Sequence, residues 1–376
     1  MFCGAVAFSS ALTVVSGQGQ CTGIHGIDID GDGDVDVFSG HWTGGQQVLW
    51  NENDGSMTFT DYVVDASSNV PYTVVGFDID GDGDIDAVAA ARYGNSVSWY
   101  ENDGSQAFSE HIVTAVLERP IDAFPMDLDG DADVDLVTED YGAEGSGVGG
   151  RIDWYENDGS QSFTNHEIAS DSLGGSAIHV VDLDLDGDLD VVESSLEDDT
   201  TSWYENDGTE TFTKHEIKTC SACSNRDAYG VDLDGDGDLD VIAAKGVDDT
   251  VVWHENDGSM SFTERVIADK SASDSYAMRN RPTDLDGDGD LDVVVAWAIG
   301  DDVTWYENDG SMSFTERDVD LNLDYAFFLD VLDMDLDGDI DILVSSRMDE
   351  KVVWYENACN DPPTPAPSPT PSASPS

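Results

Sequence analysis

This sequence has little positive charge: its 376 residues carry Lys+Arg 14 against Asp+Glu 81, a formal net charge of −67. Phosphate backbones are bound through a basic footprint, so no nucleic-acid partner is expected, and an anionic membrane surface is disfavoured by the same repulsion. No run of about 18 apolar residues is present, so no membrane insertion is expected. Helical periodicity is missing. Signatures of covalent or cofactor chemistry are missing too: there is no Ser/His/Asp spacing, H-E-x-x-H, Walker loop or dinucleotide fingerprint. Such an acidic chain would ordinarily stay disordered, yet Trp 9, Phe 13 and Tyr 12, within a hydrophobic content of 39%, can build a core. Something other than basic side chains must therefore neutralise the acid.

What is present is a repeat. An Asp ladder, D-x-D-x-D-G-D-x-D or a close variant, starts at Asp28, Asp78, Asp127, Asp182, Asp232, Asp284 and Asp333, at intervals of 50, 49, 55, 50, 52 and 49 residues. A W-Y-E-N-D-G-S motif or a variant follows at Trp50, Trp99, Trp154, Trp203, Trp253, Trp305 and Trp354. Nine residues after each of the first six Trp comes Phe59, Phe108, Phe163, Phe212, Phe262 or Phe314. Short β-branched runs flank the ladder, and Asn-Asp-Gly marks a hairpin before the Phe strand. Four antiparallel strands per unit, repeated seven times, predict an all-β fold, a seven-bladed β-propeller spanning 5–359. One Trp per blade at a fixed offset is what inter-blade packing requires. His111, His166 and His215 share one position in strand D and are expected to be cross-strand surface residues, with the Glu of each W-Y-E-N motif structural.

The last unit stops before its fourth strand, and Ala7-Phe8-Ser9-Ser10-Ala11-Leu12-Thr13-Val14 reads like Ala107-Phe108-Ser109-Glu110-His111-Ile112-Val113-Thr114. Residues around 5 to 16 are expected to close the ring as the outer strand of blade 7, covering an exposed edge. The competing reading of this small, apolar stretch is a secretory leader, although it lacks a basic n-region.

The ladders present hard oxygen donors at positions 1, 3, 5, 7 and 9. The candidate ligands are Asp28, Asp30, Asp32, Asp34 and Asp36; Asp78, Asp80, Asp82, Asp84 and Asp86; Asp127, Asp129, Asp131, Asp133 and Asp135; Asp182, Asp184, Asp186, Asp188 and Asp190; Asp232, Asp234, Asp236, Asp238 and Asp240; Asp284, Asp286, Asp288, Asp290 and Asp292; and Asp333, Asp335, Asp337, Asp339 and Asp341. Ca²⁺ takes about six to eight oxygens, and a tight loop offering alternate carboxylates with Gly at the bend supplies them. Up to seven Ca²⁺ ions would add +14, taking −67 to −53. Position 12 lacks the Glu of an EF-hand in six of seven copies: it is Ser39, Ala89, Thr138, Glu193, Ala243, Val295 and Val344. Ala132 replaces Gly at position 6 of the third loop, which is expected to be the weakest site.

These residues resemble the FG-GAP or VCBS repeat family, the calcium-loop propellers that include the integrin alpha-chain head. The resemblance implies that Asp at positions 1, 3, 5 and 9 ligate calcium through their side chains and position 7 through its main-chain oxygen. Family members include adhesion receptors, lectins and polysaccharide lyases, so the resemblance settles architecture better than function. The loop occurs here in all seven blades, unlike integrin heads, which puts integrin-type partner binding in doubt.

Strand order places the calcium loops and the Asn-Asp-Gly turns on one face, and the variable B–C and D–A loops on the other. The second face is expected to hold Arg92, Arg119, Arg151, Lys218, Arg226, Lys245, Lys270, Arg279, Arg281, Arg347 and Lys351. Trp42, Arg92, Tyr93, Tyr141, Trp297 and Arg347 are its candidate ligand contacts, suited to sugars or a partner's carboxylates; the bland alternative is that the bases only offset acid. Of the five Cys, Cys3 and Cys359 are positioned to staple the seam, with Cys21 a competitor, and Cys220 and Cys223 are expected to form a local disulfide. The Pro/Ser/Thr-rich 360–376 reads as a stalk or linker. The expectation is an extracellular, non-enzymatic, monomeric ring within a larger protein, recognising a glycan or an extracellular protein. Alternatives are a calcium-dependent polysaccharide lyase or hydrolase, with Arg92, Lys245 and Arg347 as its weak candidate bases, and a purely structural spacer.

Overall fold

The strands are short because each ladder ends in a tight turn and each Asn-Asp-Gly reverses the chain. In blade 2 the four strands are Pro71–Phe77 (A), Asp86–Ala91 (B), Ser96–Asn102 (C) and Phe108–Thr114 (D), paired antiparallel in that order. The computed structural model describes residues 6–142 and 149–359, and these form seven such four-stranded sheets. Among the described residues there is no helix. The inner strands A are Cys21–Ile27, Pro71–Phe77, Pro120–Met126, Gly175–Val181, Asn225–Val231, Ala277–Thr283 and Ala326–Leu332. Each touches the next, and the last touches the first, so the sheets close into a ring. The protein is a seven-bladed β-propeller.

Blade 7 borrows its fourth strand from the start of the chain. Leu12–Ser16 pairs antiparallel with Lys351–Tyr355, and Phe8 bridges Asn357. Asn53 pairs with Phe59 and Asn102 with Phe108 in the same register, so Phe8 occupies the place of the missing Phe. The expected closing strand is formed.

Strands B are buried on both faces, which explains their near-continuous apolar sequences, while strands D are largely exposed. The Trp residues knit the ring together. Trp154 packs with Ile178, Val180, Val191 and Tyr204 of the next blade, Trp253 with Ala277, Val293 and Tyr306, and Trp354 with Ile24, Val37 and Leu49 across the seam. All seven are at most 4% exposed, as inter-blade packing requires. Cys220 and Cys223 are disulfide-bonded, and Cys21 is a buried free thiol, so it is not the partner of Cys359. Cys3 and the Pro-rich tail 360–376 lie outside the described residues.

Candidate metal centres and the opposite face

Each ladder folds as a knot of side-chain to backbone hydrogen bonds. In the first, Asp28 Oδ1 and Oδ2 accept from Gly31 N at 2.9 Å and Gly33 N at 3.1 Å, Asp30 accepts from Asp32 N at 3.2 Å, and Asp32 from Asp34 N at 3.0 Å. The chain turns left-handed twice, at positions 4 and 6: Gly31 has φ 74° and Gly33 φ 100°. Ala132 adopts φ 78° at position 6 of the third loop, so its Cβ is strained as expected. Position 4 carries the same demand, which the sequence reading missed: Leu185 and Leu336 sit there at φ 62° and 61°.

Position 9 does more than close the loop. Asp36 Oδ2 accepts from Ile29 N at 3.2 Å and from Trp50 Nε1 at 3.0 Å, while its Oδ1 accepts from Asn53 N at 2.7 Å. The two backbone bonds recur in all seven blades, through Asp86, Asp135, Asp190, Asp240, Asp292 and Asp341. The Asn of W-Y-E-N completes the brace, since Asn53 Nδ2 donates to Val35 O at 3.1 Å and its Oδ1 accepts from Gly55 N at 3.2 Å. Asp ladder and hairpin turn are thereby locked together on one face. Position 7 leans on that turn: a Cβ on Gly55 would overlap the Asp34 carboxylate, and Gly104, Gly159, Gly208, Gly258 and Gly310 meet the corresponding Asp.

These residues fit a divalent cation. Carboxylate oxygens of Asp28, Asp30 and Asp32 lie within 4.8 Å of one another, as do those of Asp78, Asp80 and Asp86, of Asp127, Asp129 and Asp135, and of Asp182, Asp184 and Asp190. Asp333 Oδ1 in the seventh loop is buried with no hydrogen-bond partner. Burial first, then the charges of Asp28, Asp32 and Glu52, raises the pKa of Asp30, and every position-3 Asp is raised for the same causes, Asp335 to about 6. Burial lifts position 9 further, to about 6 at Asp36 and about 7 at Asp292, against the opposing pull of its N–H donors. A bound cation would remove this repulsion, and oxygens that accept a single hydrogen bond, such as both of Asp28 and Oδ1 of Asp36, keep a lone pair to offer it. Asp at positions 1, 3, 5 and 9 would hold the ion; in Ca²⁺ form it supplies charge and a cross-link, not a reaction.

The W-Y-E-N Glu belongs to a second repeated unit. His111 stacks on Trp99 with ring centroids 4.5 Å apart and reaches Glu101 at 2.8 Å; His166 and His215 repeat this on Trp154 with Glu156 and on Trp203 with Glu205. Arg265 and Arg317 replace the His beside Glu255 and Glu307. The three His are thus cross-strand residues, as expected, held by a ring and a carboxylate.

On the opposite face the structure brings together five of the six predicted contacts: Trp42, Arg92, Tyr93, Tyr141 and Arg347. Arg347 lies 3.9 Å over the Trp42 ring, Trp42 meets Tyr93 edge-on at 5.8 Å, and Arg92 lies 5.1 Å from the centre of Tyr141. Trp297 does not join them. It ends strand B of blade 6 fully buried, donating to Thr304 Oγ1 at 2.9 Å beneath Lys270, because the blade 5–6 packing claims its ring. Arg279 and Arg281 also depart from the expected loop face. They lie in an inner strand and line a cavity of about 320 Å³ in the central channel with Asp122, Asp227, His179 and Asp330. There they and their neighbours tie blade to blade: Asp227 Oδ2 accepts from Asn280 N at 2.9 Å, His179 Nδ1 from Gly230 N at 3.1 Å, and Asp330 Oδ2 from Gly26 N at 3.1 Å. No motif announced these clamps, because their acceptors, two Asp and one His, lie in the inner strands outside the repeated motifs.

Comparison with protein families finds a profile described as FG-GAP-like repeat over residues 28–89, 78–138, 232–295 and 284–344. The chain belongs to the FG-GAP-like repeat family. Curated protein sequences yielded no match. Among solved structures the propeller resembles virginiamycin B lyase from Staphylococcus aureus, at TM-score 0.64 and 11% identity over 93% of this chain and 99% of that one. It also resembles BBS1N solved in complex with ARL6DN, at TM-score 0.63 and 11% identity over 96% and 98% of the two chains. At such identities the likeness is one of fold alone. Within the family this chain is regular, with ladder, Trp and braced position-9 Asp in every blade.

Proposed function

We propose that this FG-GAP-like propeller is a calcium-loaded, extracellular recognition module that contacts a glycan or protein without turning it over. The observation that carries the reading is a division of labour between the two faces. One face repeats a single cation-shaped loop seven times, which suits a scaffold. The other differs from blade to blade and gathers aromatic rings and guanidinium groups over one arc, which suits a ligand. The lyase alternative draws less support: Lys245 is tied to Glu264 at 2.7 Å, and Arg92 and Arg347 lie against rings.

The test is retention on a broad glycan and polysaccharide array in millimolar calcium and again in EDTA, with released reducing ends followed in parallel. Calcium-dependent retention without cleavage is the expected result. Released ends would replace this reading by the lyase one, and no retention by folded, calcium-loaded protein would leave a protein ligand or a spacer role.

A further inference from the structure

The residue that follows strand B is Arg347, Trp42, Arg92 and Tyr141 in blades 7, 1, 2 and 3, and Leu196, Gly246 and Ala298 in blades 4, 5 and 6. Cations and rings therefore alternate over one arc of the face only. Side chains from the adjoining strands join the arc: Arg92 lies 4.8 Å over Tyr72, Tyr72 meets Phe327 at 5.6 Å, and Arg347 lies 5.3 Å from the Phe327 centroid.

Two features mark Arg92 and Arg347. Among the described residues neither pairs with a carboxylate, whereas Arg151, Arg265, Arg281 and Arg317 each do, in a chain of net charge −67. Their donors are also underused: Arg92 Nε is buried with no hydrogen-bond partner, and Arg347 Nε reaches only the neutral Gln20 Oε1, at 3.4 Å. Burial holds the Arg347 guanidinium below its ordinary pKa, so two partly desolvated guanidinium groups on one arc, neither paired with a carboxylate among the described residues, suit an anionic ligand.

Resting on the recognition reading above, we propose that Arg92 and Arg347 bind the carboxylate of an acidic saccharide, a uronate unit, with Trp42 and Tyr93 as the platform for its ring. A planar guanidinium offers paired donors that match a carboxylate. Tyr93 is 52% exposed and Trp42 half-buried, so ring area stands open beside the charge. That apolar surface is what distinguishes a sugar acid from the flexible carboxylate of an acidic peptide, which has no ring to lay on it.

The experiment is calorimetric titration of the full chain in millimolar calcium with four probes: a uronate tetrasaccharide, its methyl ester, a neutral tetrasaccharide and an acidic peptide. Short oligomers avoid calcium gelation. The free acid is expected to bind, with affinity falling about tenfold or more for the methyl ester and for Arg92→Gln or Arg347→Gln, and less for Arg92→Lys. The methyl-ester comparison holds even where a variant fails to fold. Neutral saccharide bound equally by wild type and both Gln variants would overturn this inference and leave the recognition reading intact. Arg92-dependent capture of the peptide alone would overturn the saccharide assignment. Binding of none of the four probes by folded, calcium-loaded protein would overturn this inference, while the recognition reading stands or falls on the array.

Discussion

At the scale of single residues, one loop contains two kinds of Asp, and their substitutions should differ in sign. Asp240 accepts from Leu233 N at 3.2 Å and Asn256 N at 2.8 Å and is buried, so Asp240→Asn sets an amide donor against buried N–H donors. A loss of about 2 kcal/mol is expected in EDTA, and a larger one in calcium, where this carboxylate would also ligate the ion. Asp234 instead feels the like charges of Asp236, Asp232 and Glu255, so Asp234→Asn should destabilise in calcium and stabilise in EDTA; paired thermal melts read both. Left-handed backbone makes a second prediction. Ala132→Gly, Leu185→Gly and Leu336→Gly should each stabilise by about 1 kcal/mol in urea unfolding, since the two Leu are exposed and lose little by truncation. The third concerns His254, which occupies the Tyr place of its motif and whose pKa burial pushes down to about 4. A depressed folded pKa means that the unfolded chain binds the extra proton, so this contribution is complete above about 6.5 and lost as pH falls towards about 4, by up to about 1.4 kcal/mol per pH unit. His254→Tyr should therefore flatten the pH dependence of stability in that window, measured at saturating calcium.

At the scale of elements, the closing strand and the hairpins carry the argument. Leu12–Ser16 supplies the only partner that Lys351–Tyr355 has on its outer side among the described residues. Removing residues 6–16 should leave an unpaired edge and drive aggregation in size-exclusion chromatography; an elution volume and melting temperature unchanged from the full chain would refute the role given to this strand. The strand could be found in the sequence because Phe8 completes a count that runs through every other blade. The brace between Asp ladder and hairpin was harder to foresee. Asp36 and Asn53 are both conspicuous as letters, but only the closeness of the A–B and C–D connections brings the Asp carboxylate onto the Asn N–H.

At the scale of the molecule, electrostatics governs stability. Seven ladders without cations confine like charges at short range, so EDTA should lower the melting temperature strongly, and added salt should recover part of that loss in EDTA while changing the calcium form far less. Melts across a sodium chloride series with and without calcium test this; a calcium-independent melting temperature would argue against cation binding. The ring also explains why basic residues sit where they do. Arg281, Asp227 and His179 in the channel join neighbouring blades, while Arg347 reaches Trp42 only after closure brings blade 7 beside blade 1.

Repetition let the sequence by itself determine the blade count, the strand order, the place of the acidic loops and the closing strand, because seven copies in phase report a local pattern that chance does not produce. Local rules read such patterns directly: alternation between faces, Gly at left-handed turns, oxygen donors at alternate positions. Only the tertiary structure decided that Trp297 is buried, that Arg279 and Arg281 line the channel, and that Arg92 and Arg347 share one aromatic arc. Those outcomes depend on contacts between blades far apart in the chain, and no periodicity of 50 residues records which side chains face one another across a closed ring.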